Sequence, residues 1–105
     1  MKKYSVVYTK QARNDLADIY DYIAVVCNNR PGAEKVLRQI SKKCAMLATM
    51  PKFAQIKIEC RGLEFRTVRA GKYMAAYCVD DDNSAVIIYR ILHVKMNLAK
   101  QLFSN

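Results

Sequence analysis

The stretch from Leu63 to His93, LEFRTVRAGKYMAAYCVDDDNSAVIIYRILH, constrains the fold most, because it divides into three strand-length segments separated by turn signals. Glu64 to Ala70 alternates, with Phe65, Thr67 and Arg69 facing one way and Glu64, Arg66 and Val68 the other. Gly71, beside Lys72, supplies a turn that tolerates positive φ, and Tyr73 to Val79 follows as a second strand. The acidic run Asp80, Asp81, Asp82, Asn83 marks a hairpin tip. Ala85 to His93 is apolar on both faces except for Arg90 and the terminal His93, as a strand covered on both sides should be.

Three such strands need something to cover them, and the N-terminal half supplies it. Tyr4 to Thr9 is aromatic and β-branched and predicts a first strand. Thr9 can cap a helix beginning at Lys10, in which Ala12, Leu16, Ile19, Tyr20, Ile23 and Cys27 form one apolar stripe that ends near Asn28. Asn28-Asn29 signals a turn, and Pro31 suits the first position of a second helix with the stripe Ala33, Val36, Leu37, Ile40, Cys44, Leu47. Met50-Pro51 stops it. Lys52 to Gly62 has no clear period and reads as a loop or irregular edge, with a short strand possible at Ile56 to Glu59. A tail containing Met96, Leu98, Ala99, Leu102 and Phe103 reads as a short amphipathic helix. The expected architecture is a single α+β domain over residues 1–105. An antiparallel helical hairpin packs on one face of a mainly antiparallel four-stranded sheet made from the N-terminal strand and the three C-terminal ones, and a short C-terminal helix follows.

Composition narrows the class of function. With 52% hydrophobic and 26% charged residues, the chain is a folded globular protein rather than a disordered one. No apolar run approaches the roughly 18 residues of a membrane span, and the N-terminus lacks the apolar length of a signal peptide. A cytoplasmic protein with no membrane partner is expected. Cys27, Cys44, Cys60 and Cys78 form no C-x-x-C pair, and His93 is the one histidine, so buried reduced thiols are expected and no metal or cofactor.

The net charge is +9, distributed unevenly. Met1 to Glu34 has five Lys/Arg against four acids, Lys35 to Lys72 has ten against two, and Tyr73 to Asn105 has three against three. A concentrated basic region fits a polyanion or an acidic protein as partner, or a solvated helix face with solubilising lysines.

Arg66, Arg69 and Arg90 are the first site candidates, because a guanidinium among strand residues needs a carboxylate, phosphate or aromatic face. Internal pairing with Glu59, Glu64 or Asp18, or edge exposure, would serve equally. Arg66 and Arg69 differ by an odd number and should face opposite sides. Lys57, Arg61 and Lys95 extend the set that could contact an anion or partner. His93 could act as general acid or base in metal-free RNA cleavage, with an arginine stabilising the phosphorane and Glu59, Glu64, a lysine or a tyrosine supplying its counterpart. It could equally be a strand-end residue with a satisfied hydrogen bond. Asp80 to Asn83 lacks the spaced ligands of an EF-hand, and Tyr73, Tyr77 and Tyr89 could stack on bases or fill the core.

The order of these elements resembles the RelE/ParE superfamily of type II toxins. The residues that carry the resemblance are Tyr4 to Tyr8, Ala12 to Leu16, Ile19 to Ile23, Leu47 with Pro51, Arg69 with Gly71, Tyr73 and Tyr77, and Ile88 to His93. The resemblance implies a growth-inhibiting toxin, with plasmid stabilisation as a biological setting and a cognate acidic antitoxin forming a hetero-oligomer with it. Two mechanisms share that fold. ParE-like members inhibit DNA gyrase; RelE-like members are ribosome-dependent mRNA endoribonucleases, for which Arg69, His93 and Glu59 would be the catalytic residues here. The C-terminal arginine and tyrosine usual in the interferases are absent, with Lys95 or Met96 near the arginine's place. The long hairpin and the Arg90 to His93 ending resemble ParE-like chains. A non-enzymatic nucleic-acid-binding module is the remaining expectation.

Overall fold

The computed structural model describes residues 3–103. Its elements are β1 (Ser5–Tyr8), α1 (Lys10–Asp21), a π-helical turn (Tyr22–Val26), α2 (Arg30–Met46), β2 (Ile56–Cys60), β3 (Leu63–Ala70), β4 (Tyr73–Asp80), β5 (Ala85–His93) and α3 (Leu98–Phe103). The sheet runs β1-β5-β4-β3-β2, with β1 parallel to β5 and the other pairs antiparallel. It therefore has five strands rather than the expected four. The added strand, β2, has no alternating pattern, since three of its five residues are exposed and only Cys60 is buried. Pairing with β3 creates it, and the two-residue turn Arg61-Gly62, at φ 55 and φ 82, closes that hairpin.

The helical hairpin forms where capping and periodicity place it. Thr9 is extended, and its hydroxyl accepts the Ala12 N–H at 3.1 Å while donating to the Tyr89 carbonyl at 2.9 Å. Asn29 caps α2 by accepting the Gly32 N–H at 3.0 Å. Between the helices the chain widens into the π turn, marked by the Cys27 N–H donating to the Tyr22 carbonyl five residues back. That extra residue rotates the end of the helix off the α-helical stripe. Cys27, expected on the stripe and buried, is exposed instead, as are Tyr22, Val25 and Val26.

The hairpin packs on one face of the sheet. Ala12, Ile40, Cys44 and Leu47 meet Val68, Ala75, Tyr77, Val86, Ile88 and Ile91 there. The opposite face holds Cys60, Phe65, Ala76 and Cys78, partly covered by Leu98 and Leu102 of α3. β5 contributes Ile88 and Ile91 to one core although they are three residues apart. Tyr77 pairs with Ile88 and Ala76 with Arg90, so Tyr89 is an extra residue that shifts the alternation by one. Gly71 adopts φ 61 in the β3–β4 turn, as its place in the sequence requires. Tyr77 is wholly buried and Tyr73 and Tyr89 are half-buried.

Candidate functional site

β1 ends at Tyr8 while β5 continues to His93, so the second half of β5 has an open backbone edge. α1 closes it. The carboxylate of Asp15 accepts the Ile91 N–H at 2.9 Å, and its two oxygens accept the Arg90 guanidinium, from Nε at 2.8 Å and from Nη2 at 3.1 Å. Two parallel charge-assisted bonds fix orientation as well as distance. The carboxylate that meets Arg90 is Asp15, not Glu59, Glu64 or Asp18. Asp15 was not among the expected partners, and the one sequence signal for it is a carboxylate three residues after Ala12 and one before Leu16, on the edge of the buried stripe.

Where the hairpin tip diverges from the sheet, a cleft of about 1120 Å³ opens above this pair. Tyr22, Cys27 and Lys35 line its helical wall, and Lys72, Tyr73 and His93 line its sheet wall. His93 packs edge-on against Tyr73, with ring centroids 5.6 Å apart, and its Nδ1 accepts the Lys95 N–H at 3.1 Å. With Nδ1 occupied as an acceptor, the neutral ring carries its proton on Nε2. Burial, with Tyr22 and Cys27 nearby, holds the Tyr73 hydroxyl above the ordinary tyrosine range. A second cavity of about 450 Å³ lies between the other face and α3, lined by Arg61, Phe65, Tyr89 and Gln101 among others. Arg90 borders both cavities.

The other sequence candidates do not converge. Arg69 is exposed at the end of β3, and its Nε donates to the Gly71 carbonyl at 2.8 Å. It pairs with Met74, whereas His93 pairs with Tyr73, the neighbouring position of β4. The two side chains therefore point to opposite faces, two strands apart, or about 10 Å. Glu59 lies opposite Glu64, five residues from Arg69 along β3, or about 17 Å. Arg66, on the opposite face from Arg69 as its odd spacing required, is half-buried and donates to the Ala54 carbonyl. Lys57, Arg61 and Lys95 are exposed, Lys57 and Arg61 near the Glu59 end and Lys95 beside His93. Arg69, His93 and Glu59 are thus not brought together around one substrate phosphate. Among the described residues no group of three or more His, Cys, Asp or Glu side chains could hold a metal ion. Nor is any helix there long and apolar enough to cross a membrane.

The fold and this arrangement define a small α+β domain with a helical hairpin locked onto a five-stranded sheet. Residues 6–98 match the model of the ParE toxin of the type II toxin-antitoxin system parDE, and the chain belongs to that family. Solved structures similar to it include a chain of the chromosomal ParDE system from P. aeruginosa, 24% identical, with a TM-score of 0.69 over 90% of this chain and 100% of that one. A chain of the archaeal RelE-RelB complex from Pyrococcus horikoshii is 16% identical, with a TM-score of 0.66 over 92% and 100%. A chain of the RelBE2 complex from Mycobacterium tuberculosis is 22% identical, with a TM-score of 0.60 over 89% and 93%. No curated protein matches the sequence.

Proposed function

We propose that this toxin arrests growth by inhibiting DNA gyrase and is neutralised by a cognate acidic antitoxin. The observation that carries the choice of target is the dispersal of Arg69, His93 and Glu59 over two faces and both ends of the sheet. Cleavage through a 2′-hydroxyl needs a base, an acid and a cation within hydrogen-bond reach of one phosphate. Sites separated by about 10 Å and 17 Å do not meet that need. A poison that acts by docking has no such requirement. The family match to ParE supports the same reading.

The antitoxin reading rests on the charge of the chain and on neighbours solved as toxin-antitoxin complexes. An acidic, apolar segment that folds on binding would complement the basic surface and fill the cleft beside His93.

The test is supercoiling of relaxed plasmid by purified gyrase with the free chain added. Inhibition, relieved by the antitoxin, is expected; full supercoiling at an excess of active chain would remove gyrase as the target. One observation favours the endoribonuclease reading: Arg69 is solvent-exposed on a sheet face, available to a phosphate. Primer extension on translating ribosomes, with wild type against Arg69→Ala, separates the two.

A further inference from the structure

The strongest feature beyond the site already described is a row of cations along α2, of which Lys35 also borders the cleft while Arg38 and Lys42 do not. Lys35, Arg38 and Lys42 follow one another at steps of three and four on α2, and all are exposed. At 100° per residue they occupy an arc of about 60°. That arc lies opposite Ala33, Ile40 and Cys44, the side chains that anchor the helix to the core. A solvated helix face normally intersperses both signs of charge. This one does not. Glu34 is the single carboxylate on α2 and sits beside the arc rather than on it. Asp18 shares the cleft with Lys35, yet no ion pair among the described residues involves Lys35, Arg38 or Lys42.

We propose that this face of α2 docks on the phosphate backbone of duplex DNA. The helix has 17 residues, about 25 Å of straight scaffold. The three cations span about 10 Å of it, enough to meet successive phosphates of one strand. Single-stranded nucleic acid is held on aromatic platforms, and the arc contains no aromatic side chain. The wide major groove of B-form DNA admits a helix together with its flanking side chains, whereas the deep, narrow major groove of A-form RNA does not. An acidic polypeptide also carries negative charge, but a rigid row of cations opposite the core matches a rigid row of anions better than a flexible chain. Gyrase has no part in this contact, and the test contains none.

The experiment is fluorescence anisotropy of the intact chain with a labelled mixed-sequence DNA duplex between about 50 and 200 mM salt. Three phosphate contacts give a slope of log affinity against log salt of about −2.7. Arg38→Gln with Lys42→Gln should shrink that slope by about 1.8, because two contacts are lost. Lys3→Gln with Lys10→Gln removes the same charge from exposed positions elsewhere and should leave it unchanged. Glutamine is a good helix former, so α2 should persist, and an unaltered far-ultraviolet circular dichroism spectrum verifies it. Duplex RNA of the same sequence and polyglutamate should both bind more weakly than DNA. The proposal is overturned if no DNA binding occurs at the lowest salt, or if the two double variants have equal slopes. It is also overturned if RNA or polyglutamate binds as tightly as DNA.

Discussion

Asp15 and Arg90, 75 residues apart in sequence, hold each other through two hydrogen bonds, and one Asp15 oxygen also accepts the Ile91 N–H. One carboxylate thus does for β5 what another strand would have done, and fixes α1 against the sheet. The side chains are 9% and 21% exposed. Removing Asp15 therefore strands the Arg90 charge and the Ile91 N–H in a poorly hydrated place. Asp15→Ala should cost about 3 kcal/mol in urea unfolding. Adding Arg90→Ala should cost less than the sum of the two single changes, because the stranded charge is then gone.

The exposed pair Lys52–Asp81 gives the contrast. Its Nζ–Oδ2 distance, 2.8 Å, equals that between Arg90 Nε and Asp15 Oδ2, yet both side chains are 53% exposed. Solvent and salt screen it, so Lys52→Ala should cost far less than Asp15→Ala in urea unfolding, and less still at high salt. A loss as large as that of Asp15→Ala would mean that burial is not what separates the two pairs.

Arg61 occupies the first position of the β2–β3 turn at φ 55, a left-handed conformation that asparagine adopts more readily. Arg61→Asn places Asn-Gly there, the preferred pair for this hairpin, and should raise stability by up to about 1 kcal/mol. Thermal denaturation of the two proteins at equal concentration checks it.

The thiols should divide one against three. Cys27 is exposed, and Cys44, Cys60 and Cys78 are buried. Mass spectrometry after brief maleimide treatment should find one label on the native chain and four after unfolding. Burial is the main reason the Cys78 thiol is pushed up from 9.0 to about 12, with Cys60 and Glu64 adding to it. A group raised on folding contributes stability that is complete below its unfolded value and is lost as pH rises through the folded one. The wild-type urea midpoint should therefore fall more steeply between about pH 9 and 12 than that of Cys78→Val.

Most of the fold was legible because its signals are local. Thr9 caps the first helix, Pro31 lies in the first turn of the second, and Gly71 takes positive φ where the strands turn. The hidden parts depend on partners distant in sequence. β2 exists because β3 pairs with it, and the alternation of β5 changes hands at Tyr89 because the register with β4 slips there. The burial of Cys27 failed for a related reason, since nothing in the run from Tyr22 to Val26 announces a π turn. The candidate arginines stood out in the sequence, but not the groups they meet. Arg90 finds Asp15, Arg66 finds the Ala54 carbonyl, and Arg69 folds back on Gly71.

The central claim is that this toxin works by docking rather than by acid-base chemistry on its sheet. The direct measurement tracks gyrase supercoiling and ribosome-bound mRNA side by side, for wild type and for Arg69→Ala with His93→Ala. Both proteins should inhibit supercoiling equally and leave mRNA intact. Wild-type cuts in mRNA that vanish in the double variant, with supercoiling untouched, would contradict the claim.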